Sequence, residues 1–258
     1  MFKKQTILLL IATWTLIFGA ASCKKDKNKT AAGFATFPLS VSNTWQYFTE
    51  SQNGTYYSSF VSNWRVIIDT SINGFAVTKI SQRDSNLASG YARQGYSYYS
   101  NKSDGLYGVA VENSGSSFMF KNNEWDENME AQLFGSFGRS GNSSDSLFIP
   151  DTALYLLRYP VIVNDQWTSN EFGPASGVKR KWLGDETIAT SAGTFNCKKL
   201  QIIFDLNHNN FPDTNEASVY QYFSDKGLIQ EEKFQTFISF SGDTTYLHRV
   251  TKLTSVNF

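Results

Sequence analysis

The hydrophobic residues of this chain fall in short runs separated by clusters of Gly, Asn, Ser and Asp. The runs are rich in aromatic and β-branched residues, and no long segment follows the helical period of about 3.6 residues. These runs predict strands, the clearest of which cover residues 64–68, 76–80, 96–100, 200–205, 219–223 and 245–253. The only helix candidate covers residues 123–134. The pattern therefore predicts an all-β fold.

Composition supports the prediction of strands and argues against a nucleic-acid partner. Aromatic residues make up 16% of the 258 residues, and they favour pleated, half-buried surfaces. Lys plus Arg and Asp plus Glu both number 23, so the chain has no overall charge that would attract nucleic acid. We therefore expect a globular β-protein that has no nucleic-acid partner.

The chain also contains an internal repeat. Residues 37–45 are echoed by residues 159–167, and the tryptophans that end them, Trp45 and Trp167, are 122 positions apart. Further matches follow in the same order: Trp64 with Trp182, residues 74–80 with 193–200, and residues 98–100 with 222–224. Ordered matches of this kind predict two copies of one structural unit.

We expect two related antiparallel units, one over residues 36–120 and the other over residues 158–258. Each has enough short strands for a curved sheet with one buried face, either a half-barrel or a sandwich-like layer. Residues 121–157 form a linker or insertion that is rich in Gly, Ser and Asn. The two units are either separate domains or two halves of one core.

Residues 1–22 have the features of an export signal. Lys3 and Lys4 precede a mainly apolar run over residues 7–18, which is too short to favour a permanent transmembrane helix. The run ends at Ala20-Ala21-Ser22-Cys23, which resembles the lipobox of bacterial lipoproteins. The resemblance implies cleavage before Cys23 and a diacylglycerol on its thiol, followed by a flexible tether over residues 23–35. The alternative is an ordinary secretory signal that happens to end near a cysteine.

A second resemblance concerns the source of the protein. Residues 186–197 contain an Ala-Gly-Thr-Phe turn, Trp167 lies upstream, and a Gly-Leu hairpin lies within residues 222–228. These features resemble uncharacterised exported β-proteins and lipoproteins of the Bacteroidota. The resemblance implies a curved antiparallel sheet and brings no catalytic residues. We expect a cell-envelope lipoprotein that Cys23 anchors to the outer membrane, facing either the periplasm or the cell surface.

One loop has the ligand spacing of a calcium site. Oxygen ligands at positions 1, 3, 5, 7, 9 and 12 of a loop suit a hard calcium ion. The loop that begins at Asp205 resembles an EF-hand loop, although Asn210 replaces the usual Gly and no helices are predicted beside it. The candidate ligands are Asp205, Asn207, Asn209, the backbone carbonyl of Phe211, Asp213 and Glu216. The alternatives are a structural calcium ion and an Asn-rich turn without metal.

The positions of the tryptophans and of the cysteine indicate which of them pack in the core and which is a candidate for ligand binding. Trp45, Trp64, Trp167 and Trp182 lie at repeat-equivalent positions, which favours packing in the core. Trp125 has no repeat partner and is the candidate for an exposed ligand-binding side chain. The remaining cysteine, residue 197, has no intrachain partner once Cys23 is acylated, and we expect a buried thiol rather than a nucleophile.

No enzyme signature is evident in the sequence. The chain lacks Gly-x-Ser-x-Gly, Gly-x-Gly-x-x-Gly and His-Glu-x-x-His motifs. The acid pairs Asp185/Glu186 and Glu231/Glu232 are interpreted as solvated turn residues, because neighbours on a strand point to opposite faces. The protein is therefore predicted not to be an enzyme.

Three functions remain open. The first is a binding or scaffold module for a glycan, lipid or protein, and the second is a carrier of an apolar ligand or lipid in a half-barrel. A concave apolar cavity would favour the carrier, whereas a packed core with exposed aromatic residues would favour the binding module. The third is a cryptic glycoside hydrolase, which would need two acids facing one cleft.

Overall fold

The computed structural model describes residues 34–90, 92–113, 147–148, 153–169, 178–205, 216–238 and 244–258. The chain divides into two compact units, Met1–Ala32 and Gly33–Phe258, and all the described residues belong to the second. Cys23, Trp125 and the helix candidate over residues 123–134 lie outside the described residues.

The described residues form thirteen strands in one sheet, and every pairing between them is antiparallel. The strands are β1 (Thr44–Asn53), β2 (Tyr56–Ile72), β3 (Phe75–Asn86), β4 (Ala92–Lys102), β5 (Gly105–Asn113), β6 (Leu147–Phe148), β7 (Leu154–Arg158), β8 (Gln166–Thr168), β9 (Val178–Thr190), β10 (Gly193–Phe204), β11 (Ser218–Ser224), β12 (Gly227–Ile238) and β13 (Thr244–Asn257). The predicted all-β class is confirmed.

The six predicted strands lie in β2, β3, β4, β10, β11 and β13, although β10 ends at Phe204, one residue before Asp205. Buried and exposed residues largely alternate along β2, β3, β10 and β13, which gives the sheet one buried face, whereas β4 and β11 each contain four consecutive buried residues, 97–100 and 221–224. Within the residues that the structure describes, no helix is long and apolar enough to cross a membrane.

The sheet joins the two predicted units edge to edge. Its strand order is β6, β5, β4, β3, β2, β1, β13, β12, β11, β10, β9 and β8, and β7 pairs with β5 off this path. Strands β1 to β5 come from residues 36–120, whereas β8 to β13 come from residues 158–258. The two sets meet at β1 and β13, where Thr44 pairs with Asn257 and Asn53 pairs with Leu247.

Two indole groups bring the ends of the sheet together. β7 pairs with β5 at one end of the strand order, and β8 and β9 lie at the other. Trp167 Nε1 of β8 donates to the Tyr155 carbonyl of β7, and Trp182 Nε1 of β9 donates to the Arg158 carbonyl, both at 3.1 Å. Because side chains bridge the gap between the ends, the sheet is barrel-shaped and nearly closed.

The paired tryptophans of the sequence repeat occupy corresponding strands. Trp45 lies in β1 and Trp167 in β8, while Trp64 lies in β2 and Trp182 in β9. All four are buried, which confirms the prediction that they pack in the core. The glycine turns also correspond, since Gly74 precedes β3 with a φ of 82° and Gly193 begins β10 with a φ of 135°.

The two ends of the sheet bury different side chains. At the end where Thr44 pairs with Asn257, the interior holds a packed aromatic group: Phe34, Phe37, Trp45, Trp64, Trp182 and Phe223. We call this the tether end, because the described chain enters the sheet here at Phe34. At the opposite end, where Asn53 of β1 pairs with Tyr56 of β2, many of the buried side chains are polar. We call this the polar end.

Candidate binding site

Four charged side chains lie on the inward face of the sheet toward the polar end. Glu231 and Lys233 are two residues apart on β12 and therefore share a face. Lys233 pairs with Arg249 of β13 on one side. On the other side, successive cross-strand partners lead from Lys233 through one residue of β11 and one of β10 to Arg180 of β9. Each side chain is at most 6% exposed. We call these four residues the charged cluster.

Glu231 is held in an environment that disfavours its charge. Burial raises the pKa of Glu231 to about 7, although a hydrogen bond from Gln221 and the positive charges of Arg249 and Arg180 act in the opposite direction. Gln221 Nε2 donates to Glu231 Oε2 at 2.7 Å, and Gln221 is itself fully buried. The carboxyl group therefore lies close to its titration midpoint at neutral pH.

Lys233 shows the complementary perturbation. Burial, followed by the positive charge of the neighbouring Arg249, lowers the pKa of Lys233 to about 7. Desolvation disfavours an ammonium group in the same way that it disfavours a carboxylate. Burial thus shifts the pKa values of an acid and a base on one strand face in opposite directions, each to about 7.

Neutral polar side chains surround the charged cluster. The hydroxyl groups of Thr49 and Thr251 lie 2.9 Å apart on β1 and β13, and Thr251 pairs with Glu231 across β13 and β12. On another part of the inward face, the Ser97 hydroxyl donates to Gln82 Oε1 at 3.1 Å. Neutral hydrogen-bonding side chains therefore lie beside Glu231, and others lie elsewhere on the inward face.

The chemistry of the charged cluster suits an acidic ligand group. Guanidinium groups present several donors in a fixed geometry that matches carboxylate and phosphate oxygens. Buried charges are costly for stability, and an apolar replacement of similar shape is often as stable or more stable. Strongly perturbed titratable groups that lie close together are typical of functional sites.

Comparisons with known proteins give no family for this chain. No family model matches it, and no curated protein matches its sequence. One similar crystal structure is that of a predicted lipoprotein from Parabacteroides distasonis, with 13% identity, coverage of 88% of this chain and 99% of the other, and a TM-score of 0.42. Another is that of a predicted exported protein with a YmcC-like fold from Bacteroides fragilis, with 11% identity, coverage of 87% and 99%, and a TM-score of 0.41. The function of this chain is therefore inferred from its own residues.

The interpretation of two acid pairs as solvated turn residues is wrong in part. Glu231 lies within β12 and is buried, because the alternation that places Glu232 outward turns Glu231 toward the interior. Asp185 and Glu186 are exposed as expected, yet they lie within β9 rather than in a turn. They form cross-strand ion pairs with Lys198 and Lys199 of β10.

Only the two ends of the predicted calcium loop lie within the described residues. Asp205 follows β10 and is buried, and its Oδ2 accepts a hydrogen bond from Lys179 Nζ at 2.8 Å. Glu216 precedes β11 and is also buried. The register that pairs Ile203 with Ser218 places these two residues opposite each other where the strands end. Asn207, Asn209, Phe211 and Asp213 lie outside the described residues, and the calcium site stays a prediction.

The remaining predicted residues have mixed outcomes. Cys197 is buried, as expected, and burial raises the pKa of its thiol to about 12, which is the reverse of what a nucleophile needs. The lipidation of Cys23 and the ligand-binding role of Trp125 stay predictions.

Exposed aromatic side chains lie at the polar end, on residues that the sequence did not single out. Tyr56, Tyr57 and Tyr246 are 65 to 80% exposed, and the β1–β2 hairpin that carries the first two contacts β13 through a bond from Gly54 N–H to the Tyr246 carbonyl. On the outward face of β12 and β13, the rings of Phe234 and His248 stack with centroids 4.5 Å apart. The exposed aromatic rings and the charged cluster therefore lie toward the same end of the sheet.

Proposed function

We propose that this protein is a lipid-anchored binding protein of the bacterial cell envelope, and that its ligand carries an acidic group that the charged cluster binds. The observation that carries the proposal is the burial of Arg180, Glu231, Lys233 and Arg249 on the inward face of one sheet, where the charges of Arg180 and Arg249 lower the pKa of Glu231 against the effect of burial. The signal segment, the lipobox-like residues and Cys23 support the anchored location.

The ligand class follows from the two kinds of side chain at the polar end. Three of the four members of the charged cluster are basic, which favours a carboxylate or phosphate group on the ligand. Tyr56, Tyr57 and Tyr246 offer exposed rings that can stack on sugar rings or on apolar parts of a ligand. A sugar acid or a sugar phosphate combines both features, so we propose acidic glycans as the ligand class.

The two other functions receive less support. Packed aromatic residues at the tether end, together with exposed ones at the polar end, favour the binding module over the carrier of an apolar ligand. The charged cluster contains one acid, whereas glycoside hydrolysis by the usual routes requires two. That the protein is not an enzyme stays a prediction.

Matched ligand pairs test the proposal directly. Binding of glucose 6-phosphate is compared with that of glucose, and binding of glucuronate with that of methyl glucoside, by calorimetry and by the shift in unfolding temperature. We expect the acidic member of at least one pair to bind more than about tenfold more tightly.

Two variants test whether the charged cluster binds the acidic group of the ligand. Arg249→Gln should remove the preference for the acidic member, whereas Arg65→Gln should keep it, because Arg65 is exposed on β2. The unfolding temperature of each variant, measured without ligand, shows that it is folded. Equal binding of both members of every pair, or an equal effect of the two variants, would contradict the proposal.

A further inference from the structure

Aliphatic and phenylalanine side chains are exposed around the tether end. Val41 is 48% exposed, and Ile162 and Val163 are 58% and 51% exposed in the corresponding loop of the second repeat. Large apolar side chains left in water at one end of a protein are typical of a surface that contacts a partner or a membrane.

The hydrogen bonds of these two loops fix their place at the tether end. Ser42 N–H donates to the Val66 carbonyl at 3.1 Å, which holds Val41 beside the start of the sheet. Asn164 N–H donates to the Trp182 carbonyl at 2.7 Å, and the Trp182 ring contacts that of Phe34 with centroids 6.1 Å apart. Both exposed loops are therefore on the end at which the chain enters.

The β2–β3 hairpin and the C-terminus extend the same apolar surface. Ile67, Ile68 and Phe75 are 41 to 53% exposed on the part of the hairpin that lies beyond the pairing of Arg65 with Thr44. Phe258 is half exposed and packs against Trp45 with ring centroids 5.6 Å apart. We call these four residues, together with Val41, Ile162 and Val163, the apolar rim.

The length of the tether limits where this rim can lie. The chain from Cys23 to Phe34 is eleven residues long and reaches at most about 40 Å when fully extended. Phe34 is buried among Tyr159, Trp182 and Phe223, so the tether starts from within the tether end rather than from the side of the sheet. A lipid on Cys23 would hold Phe34 within about 40 Å of the lipid surface.

The opposite end carries a different kind of exposed side chain. Tyr56, Tyr57 and Tyr246 have hydroxyl groups, whereas all seven members of the apolar rim lack polar side-chain atoms. The polar end also exposes Leu87 and Phe234, and the contrast lies in the tyrosine hydroxyl groups that accompany them there.

From these observations we infer that the apolar rim contacts the surface of the membrane that holds the anchor, so that the polar end points away from it. The inference rests on the proposed lipid anchor and adds the orientation of the proposed binding site. It means that the charged cluster receives its ligand from solution and not from the bilayer.

The charges at the tether end indicate how the contact is made. Lys102 lies over the Phe75 ring at 5.4 Å, and Lys226 lies over the Phe258 ring at 4.7 Å. Each lysine is close in sequence to an acid, since Asp104 and Asp225 lie in the same two turns. Because the charges of these two turns are mixed, the rim itself makes an apolar contact.

Fluorescent labels at the two ends test the orientation. The full chain is expressed in a host that processes lipoproteins, and its intact mass shows whether Cys23 carries an acyl group. Cys197 is buried, so a cysteine introduced at Ile162 or Ile68 becomes the labelling site, with Tyr57→Cys and Leu87→Cys as controls at the polar end. Each labelled protein is placed on phosphatidylcholine vesicles with normal or brominated acyl chains.

The inference predicts that brominated chains quench most of the fluorescence at Ile162→Cys and Ile68→Cys and little of it at the two control positions. An acylated protein whose four labels are all unquenched would overturn the inference while leaving the anchor intact. A protein that is not acylated and shows no quenching would overturn both. Rim labels that become shielded without vesicles as protein concentration rises would assign the rim to a second copy of the chain.

Discussion

Replacing Glu231 with Gln should remove a pH-dependent loss of stability that the buried carboxyl causes. Burial raises the pKa of Glu231 from 4.5 to about 7. The folded state therefore binds more protons than the unfolded chain between these pH values, and the stability contributed by Glu231 falls as pH rises through the window. The full difference corresponds to about 3 kcal/mol above pH 7.

Urea unfolding of both proteins between about pH 4.5 and about pH 8 measures this difference. The free energy of unfolding of the Glu231→Gln variant should rise relative to wild type by about 3 kcal/mol across the range, because other titrating groups cancel in the comparison. Gln can still accept the hydrogen bond from Gln221 through its carbonyl oxygen. Glu232→Gln, on the outward face of the same strand, is the matched control for the substitution. A difference that does not change with pH would refute the reasoning, since Glu231 would then titrate like a solvated carboxyl.

Three further predictions concern the core, the thiol and the metal. Trp182→Ala should lower the free energy of unfolding by about 3 to 5 kcal/mol, against about 0.5 kcal/mol or less for the exposed Tyr57→Ala, both measured by denaturant titration. Because burial raises the pKa of Cys197 to about 12, a maleimide should label it only after unfolding, and rapid labelling of the folded protein would contradict its burial. If the loop that starts at Asp205 binds calcium, excess calcium should raise the thermal midpoint relative to chelator, and a variant with Asp205→Ala and Glu216→Ala should lose the rise. Identical midpoints with calcium and with chelator would remove the metal site.

The fold class could be predicted from the sequence because the relevant signals are local. Aromatic and β-branched runs identify strands by themselves, and the repeat of Trp45 at Trp167 identifies side chains that pack in equivalent places. The closure of the sheet could not be predicted from the sequence, because it depends on contacts between residues that are distant along the chain. Nothing local indicates that the indole of Trp182 reaches the Arg158 carbonyl.

The charged cluster was not predicted because charged residues in strands are usually outward. Its members come from three strands, and Arg180 is 51 positions from Glu231. One signal was present, since a period of two from the buried Ile229 places Glu231 and Lys233 on the inward face. That signal could not distinguish a buried charged side chain from an exposed one near the edge of the sheet, because the neighbouring strands determine how deeply the side chain is buried.

The two indole bonds to β7 also bear on how copies of this protein behave beside one another. A strand at the end of a sheet offers carbonyl groups to which the edge of another chain can add, and this is a common route to aggregation. In β7 the carbonyls of Tyr155 and Arg158 already accept the indoles of Trp167 and Trp182. Lipid-anchored copies would be crowded on one surface, where strand addition is favoured by concentration. The tryptophans thus occupy two carbonyl groups of this edge that an added strand would otherwise use.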